Sequence, residues 1–176
     1  RQSLRAMEDL EVDGTRKALE SFLTHDNRRL RKTAAEVLRD RGSLESLSAI
    51  ASAVEQLDQA EDLEETGYEL LVQKPTSTIL QYTDASNPVV QRMAFRALGT
   101  RAAREGGGSS DVFETLRTGA SSSDALIRGA AARGLGAIGN DRALDVLEGM
   151  TDDPKATVRR DVALALGNYE EGTLES

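Results

Sequence analysis

An all-α fold, a right-handed solenoid of about five to six helical hairpins, is what the sequence predicts. Three observations carry that expectation. Hydrophobic residues make up 39% of the 176-residue chain but aromatic ones only 3%, with no Trp. The apolar content is therefore mostly Ala, Leu and Val, which suits closely spaced helices. Apolar residues recur at relative positions 0, 4, 7 and 8, as in Leu30, Ala34, Val37 and Leu38, which is one face of an α-helix. The same phrase then returns along the chain, and no stretch alternates with period two over a convincing length, so no sheet is expected.

Taken in order, the copies are Leu30-Arg31, Ala34-Ala35 and Leu38-Arg39, then Leu63-Glu64, Gly67-Tyr68 and Leu71-Val72, then Val90-Gln91, Ala94-Phe95 and Leu98-Gly99. Ile127-Arg128, Ala131-Ala132 and Leu135-Gly136 follow, and Val158-Arg159, Val162-Ala163 and Leu166-Gly167 complete the set. The anchors 31, 64, 91, 128 and 159 are spaced 33, 27, 37 and 31 residues apart, a helical-hairpin period that varies at loops. Second helices fall between them, marked by Leu44, Leu47, Ile50, Ala51 and Val54, by Val112, Phe113 and Leu116, and by Ala143, Leu144, Val146 and Leu147. Polar turns with Ser, Asp, Asn, Pro88 and Pro154 separate the helices, supplying N-caps and first-turn prolines. Helices are expected at 2–11, 14–24, 27–41, 43–57, 60–73, 76–83, 87–103, 109–119, 123–138, 141–150 and 155–168, with 169–176 as a tail and 1–176 as one repeat domain.

The stretch Leu126 to Met150 holds Gly129, Gly134, Gly136 and Gly139. Each glycine inside a helix costs roughly 0.5–1 kcal/mol relative to Ala, so close approach by neighbours must compensate. Gly136, Gly139 and Gly167 are expected as helix C-caps, and Gly129 and Gly134 as points of close approach. The glycine run of Arg104 to Asp111 has no Lys, no Ser or Thr at phosphate-loop spacing and no preceding strand, so it is expected as a turn between repeats.

The phrases "DDPKATVRRDVALALG" and "SDALIRGAAARGLGAIGNDRALDVL" resemble the HEAT-like repeats of the phycobilisome-lyase type, in which Asp-x-x-x-x-Val-Arg precedes an alanine-rich helix ending in Leu-Gly. The resemblance is strong over Ser121 to Asn168, fair over Asp26 to Val54 and Asn87 to Leu116, and weak over Leu57 to Thr83. It implies a structural ladder of Asp26, Arg31, Arg128, Asp153 and Arg159, in which turn carboxylates accept bonds from Arg and from first-turn amides and tie each hairpin to the next. Gln91 and Glu64 depart from that pattern. The family also includes enzymes or enzyme subunits that attach bilin chromophores, and a related repeat enzyme hydroxylates deoxyhypusine through a di-iron centre held by His-Glu pairs. Here His25, the one histidine, is followed by Asp26, so that activity is set aside and His25 reads as a turn residue. Repeat-fold DNA glycosylases need a basic channel and aromatic residues beside the lesion, which an acidic chain without Trp does not suit.

Composition narrows function further. The absence of Cys removes disulfides, thiolate catalysis and thiolate metal sites, and makes the cytoplasm the expected compartment. Starting at Arg1 with no apolar segment ahead of small residues, the chain reads as a fragment without a secretory signal, and no apolar run approaches the ~20 residues of a membrane span. A net charge of −8 argues against coating nucleic acid. No catalytic residue, cofactor or metal is assigned, since adjacent acids such as Glu64-Glu65 and Asp152-Asp153 are ordinary in an acidic chain.

The positions one and five residues after each anchor are expected to face solvent on the concave side, which places Arg92, Arg96, Arg133 and Arg160 in a basic stripe. Glu55 to Glu69 instead holds seven acids and no basic residue. The expected function is a non-enzymatic protein-interaction scaffold that binds an acidic partner, with head-to-tail association of copies as another use of such a surface. A subunit of a bilin lyase or other modifying enzyme, and nucleic-acid binding through the stripe, are the alternatives.

Overall fold

The computed structural model describes residues 14–41, 43–58 and 60–172, and every regular element among them is helical. The helix expected at 2–11 lies outside the described residues. Helix α1 occupies residues 14–21 and passes into a 3-10 turn at Phe22–Thr24. After it come α2 (Arg28–Arg41), a second 3-10 turn (Leu44–Ser46), α3 (Leu47–Gln56), α4 (Glu61–Val72) and α5 (Thr76–Leu80). The chain continues with α6 (Pro88–Arg104), α7 (Ser110–Ala120), α8 (Ala125–Ile138), α9 (Asp141–Gly149) and α10 (Ala156–Gly172). No described helix is long and apolar enough to cross a membrane.

Four expected boundaries are corrected. The 14–24 and 43–57 segments each include a 3-10 turn, the second capped by Ser43 Oγ, which accepts from the Glu45 amide. The 76–83 segment shrinks to α5 because the buried Thr83 donates its hydroxyl to the Leu80 carbonyl at 2.8 Å and takes up the helix end. The last helix runs to Gly172, into the expected 169–176 tail, and the Tyr169 hydroxyl ties it down by donating to the Asn140 carbonyl at 3.1 Å.

Packing gathers the chain into two compact units, residues 1–70 and 71–176. In the first, Leu23, Leu38, Leu47 and Ile50 are fully buried, and the buried Ser46 hydroxyl donates to Glu20 at 2.8 Å. Ion pairs join α2 to α4 at both ends, Arg28 to Asp62 at 3.0 Å and Arg39 to Glu69 at 3.1 Å. The second unit is a two-layer stack in which α6, α8 and α10 lie side by side, with α5, α7 and α9 behind them. Its core is Ile79, Met93, Leu98, Leu116, Leu135 and Leu147, all fully buried. Asn87, Asp124 and Asn140 start α6, α8 and α9 by accepting from first-turn amides at 2.7 to 2.9 Å.

Glycine sets the spacing of the α6, α8, α10 layer. A Cβ on Gly99 of α6 would overlap the backbone of Gly134 in α8. One on Gly136 would lie 2.6 Å from the Ala165 Cβ of α10, and one on Gly134 would lie 2.6 Å from Leu116 and 2.8 Å from the Phe95 carbonyl. Gly99 and Gly136 both stand eight residues after their anchors, Gly134 and Ala165 six after theirs. Two of the three expected C-caps are thus corrected: Gly136 and Gly167 lie within helices, and only Gly139, at φ 66°, ends one in the left-handed conformation. In the Arg104 to Asp111 turn, Gly106, Gly107 and Gly108 all take positive φ.

The seats give opposite signs for one chemical change. Gly99→Ala and Gly136→Ala are expected to destabilise by about 1–3 kcal/mol through overpacking. Gly167→Ala, in the same register but with nothing among the described residues within 4 Å of its added Cβ, is expected to stabilise by roughly 0.5–1 kcal/mol. Urea unfolding of the three variants checks this, and a shared sign contradicts it.

Candidate functional site

An anchor arginine recurs at the start of three helices and reaches back over the preceding turn. Arg31 Nη1 donates to the carbonyls of His25 and Asp26 at 2.8 and 3.0 Å. Arg128 Nη1 does the same to Ser122 and Ser123 at 2.9 and 3.1 Å, and Arg159 Nη1 to the Asp153 carbonyl at 2.7 Å. Each guanidinium therefore pins its own turn, and Asp26 contributes a backbone carbonyl there. His25 sits in that first turn, its Nδ1 accepting from the Asn27 amide at 3.0 Å.

Asp153 links two repeats through its carboxylate. Arg128 grips both oxygens, Nε to Oδ2 at 2.7 Å and Nη2 to Oδ1 at 3.0 Å, while the Lys155 amide donates to Oδ1 at 2.9 Å. Both side chains are largely buried. The hydrogen bond from Arg128 holds the Asp153 carboxyl below the usual aspartate range against the opposing cost of burial, and the same bond raises Arg128.

The basic stripe takes a different form from the one expected. In α8 the positions one and five residues after the anchor lie along the seam with α10. Gly129 is buried, its missing side chain making room for Asp161, and Arg133 donates to Asp161 Oδ2 at 3.0 Å. Arg160 reaches the other oxygen of the same carboxylate at 3.6 Å. Asp161 is 6% exposed, and its Oδ1 is buried without a hydrogen bond, so two partly exposed arginines balance one buried charge. Arg92 and Arg96 are half-buried on α6. Sequence reasoning missed Asp161; the small residue facing it, Gly129, was the available signal. It also missed Arg142, whose guanidinium stacks 4.0 Å over the Phe113 ring and pairs with Glu114 at 3.3 Å.

Charge divides between two pairs of helices in the second unit, while α10 holds Arg159 and Arg160 with Asp161, Glu170 and Glu171. Helices α6 and α8 hold Arg92, Arg96, Arg101, Arg104, Arg128 and Arg133 and no acidic residue. Helices α7 and α9 hold Asp111, Glu114, Asp141, Asp145 and Glu148 with Arg117 and Arg142. An open recess of about 510 Å³ is lined by Thr76, Ser77, Glu105, Gly106, Ser109 and Asp111 among others. There Glu105 accepts a short hydrogen bond from Thr76 and another from Arg101 at 2.7 Å, which keep its carboxyl low and ionised. In the first unit a smaller groove of about 130 Å³ runs between α2 and α4, lined by Lys32, Glu36, Arg39, Glu65, Thr66 and Glu69 among others. Its charges largely face one another, as in the Arg39 to Glu69 pair.

Because the folded pKa of Asp153 is depressed, its pairing with Arg128 contributes stability above the unfolded aspartate pKa near 4 and loses it as pH falls through the folded value. Asp153→Asn is expected to lower stability at pH 7 and to flatten the acid limb of the stability curve below about pH 4. Arg128→Lys, which cannot make the forked contact, is expected to cost about 2 kcal/mol at pH 7. Denaturant midpoints measured between pH 2 and 8 check both, and an acid limb unchanged in Asp153→Asn contradicts the assignment.

No curated protein matches the chain. Among solved structures it is similar to an engineered protein from the Northeast Structural Genomics Consortium, at 19% identity and a TM-score of 0.42 over 96% of this chain and 84% of that one. It is also similar to human deoxyhypusine hydroxylase in complex with glycerol, at 16% identity and a TM-score of 0.33 over 94% of this chain and 99% of that one. Neither likeness carries a functional argument. The model of the HEAT repeats family matches residues 76–167, more than half of the chain and nearly all of the stacked helices α5 to α10. The protein belongs to the HEAT repeat family.

Proposed function

We propose that the protein is a non-enzymatic interaction scaffold of the cytoplasm that receives an acidic protein segment across the α6, α8, α10 layer. The separation of charge between α6 and α8 on one side and α7 and α9 on the other carries this reading. A chain with net charge −8 nonetheless gathers six arginines and no acid on α6 and α8. Electrostatic complementarity of that kind steers encounter and selects partners more than it adds raw affinity. Arg92 and Arg96, one turn apart on α6, are the pair to test, and changing them leaves the contacts of Arg133 and Arg160 with the buried Asp161 in place. Reversing Arg133 would set a second acid beside that carboxylate and damage the fold. The phycobilisome-lyase type shares the Asp153, Val158-Arg159 and Leu166-Gly167 motif with this chain, and a lyase-subunit role rests on that motif alone.

Arg92→Glu/Arg96→Glu is expected to abolish capture of one stoichiometric protein partner from native lysate, while circular dichroism shows the helices intact. The wild-type complex should weaken at least several-fold between 50 and 300 mM salt, roughly the behaviour of screened surface charge. Retention of the same partner by the variant with unchanged salt dependence sinks the proposal, and salt-sensitive retention on DNA in place of a protein partner reassigns the face to nucleic acid.

A further inference from the structure

One carboxylate of the second unit is buried beneath two arginines that are not. Asp161 enters the seam between α8 and α10 because Gly129 has no side chain, and a Cβ there would lie 2.5 Å from Asp161 Oδ2. Arg133, one helical turn past Gly129 on the same face of α8, donates to that oxygen at 3.0 Å. Arg160 stands 3.6 Å from the other oxygen, beyond hydrogen-bond distance. The Asp161 side chain is 8% exposed, against 42% for Arg133 and 71% for Arg160. Among the described residues, Asp161 Oδ1 receives no hydrogen bond. Arg128 of the same helix shows what a closed contact looks like, since it grips both oxygens of Asp153 at 2.7 and 3.0 Å with both side chains largely buried. The Asp161 cluster is open on its arginine side where that pair is shut.

Two guanidiniums over one carboxylate leave one positive charge, and α8 holds no acid to meet it. A guanidinium has five N–H donors in a planar fork, so donors remain on both arginines for a second acceptor. We propose that Arg133 and Arg160, positioned by Asp161, form a seat for one carboxylate side chain of a partner protein. This seat rests on the acidic-segment reading of the layer and gives that segment its anchor point. A guest Asp or Glu completes a neutral array of two guanidiniums and two carboxylates. A phosphate dianion would instead leave excess negative charge beside the buried Asp161. Asp161 itself does not touch the guest; it holds the arginines, which lowers the side-chain freedom lost on binding.

The probe is a hexaglutamate peptide at low salt, read through the side-chain Nε–Hε resonances of Arg133 and Arg160. Both are expected to shift on titration, and to shift less with inorganic phosphate at matched ionic strength. Arg160→Gln, at an exposed side chain, should weaken peptide binding about tenfold. Asp161→Asn separates a built seat from a diffuse field, because it makes the surface one charge more positive. Loss of the positioning carboxylate should weaken binding several-fold, whereas a field alone would strengthen it. Tighter or unchanged binding by a folded Asp161→Asn overturns the seat. Should that variant unfold, unchanged affinity in Arg160→Gln does so instead. Larger shifts with phosphate than with peptide overturn the choice of a carboxylate. Loss of partner capture in Arg92→Glu/Arg96→Glu, alongside wild-type Arg133 and Arg160 resonances that ignore the peptide, would overturn the seat and leave the acidic-partner reading standing.

Discussion

Backbone contact between neighbouring helices is the constraint on which the second unit depends. At Gly99 and Gly134, and again at Gly136 and Ala165, the helices meet with no room for a larger side chain. The helical penalty of each glycine is offset by what the approach permits. Leu98, Leu116, Leu135 and Leu147 become fully buried. Fully burying such a side chain is worth roughly 1.5–3 kcal/mol, so a few buried leucines outweigh the glycine cost. The seat also fixes register, because sliding one helix along its neighbour by even a single residue drives a Cβ into backbone.

The electrostatic features follow from the same geometry. With α8 and α10 this close, the missing side chain of Gly129 leaves the space that Asp161 occupies, and Arg133 and Arg160 lean in from the edge of the seam to meet the buried carboxylate. Arg128 crosses to the next turn and takes Asp153 in a forked contact. All three stabilise the stack, and Arg133 and Arg160 also colour its surface. A partner segment binding there would meet charges held in place by the fold, which lowers the entropy lost on binding.

Periodicity made the helices legible because apolar spacing and capping residues are local signals. Asn87, Asp124 and Asn140 cap helices in the places their side chains suggest. The Leu-Gly ending was legible as a repeat but misleading as a stop. Gly136 serves a close approach rather than a C-cap, which only the position of the next helix reveals, and Gly167 lies inside a helix that runs on to Gly172. The extent of the last helix was hidden for a similar reason, since the bond from Tyr169 to Asn140 joins residues nearly one repeat apart. Among the charged groups, the anchor arginines were visible by their spacing. Their acceptors were not, because backbone carbonyls carry no sequence signature. Asp161 resembled any solvated helix acid until the seam around it was seen.

Hydrogen exchange across the second unit tests most directly whether close helix approach governs its stability. Helix α8 has a glycine seat on both flanks, whereas α7 and α9 have their own contacts but no such pair of seats. The slowest amides should therefore lie in the middle of α8, around Ala131 to Leu135, exchanging only when the whole unit opens, with α10 opening first at its outer turn. Slower exchange in α7 or α9 than in α8 would contradict the account and place the stabilising core in the other layer.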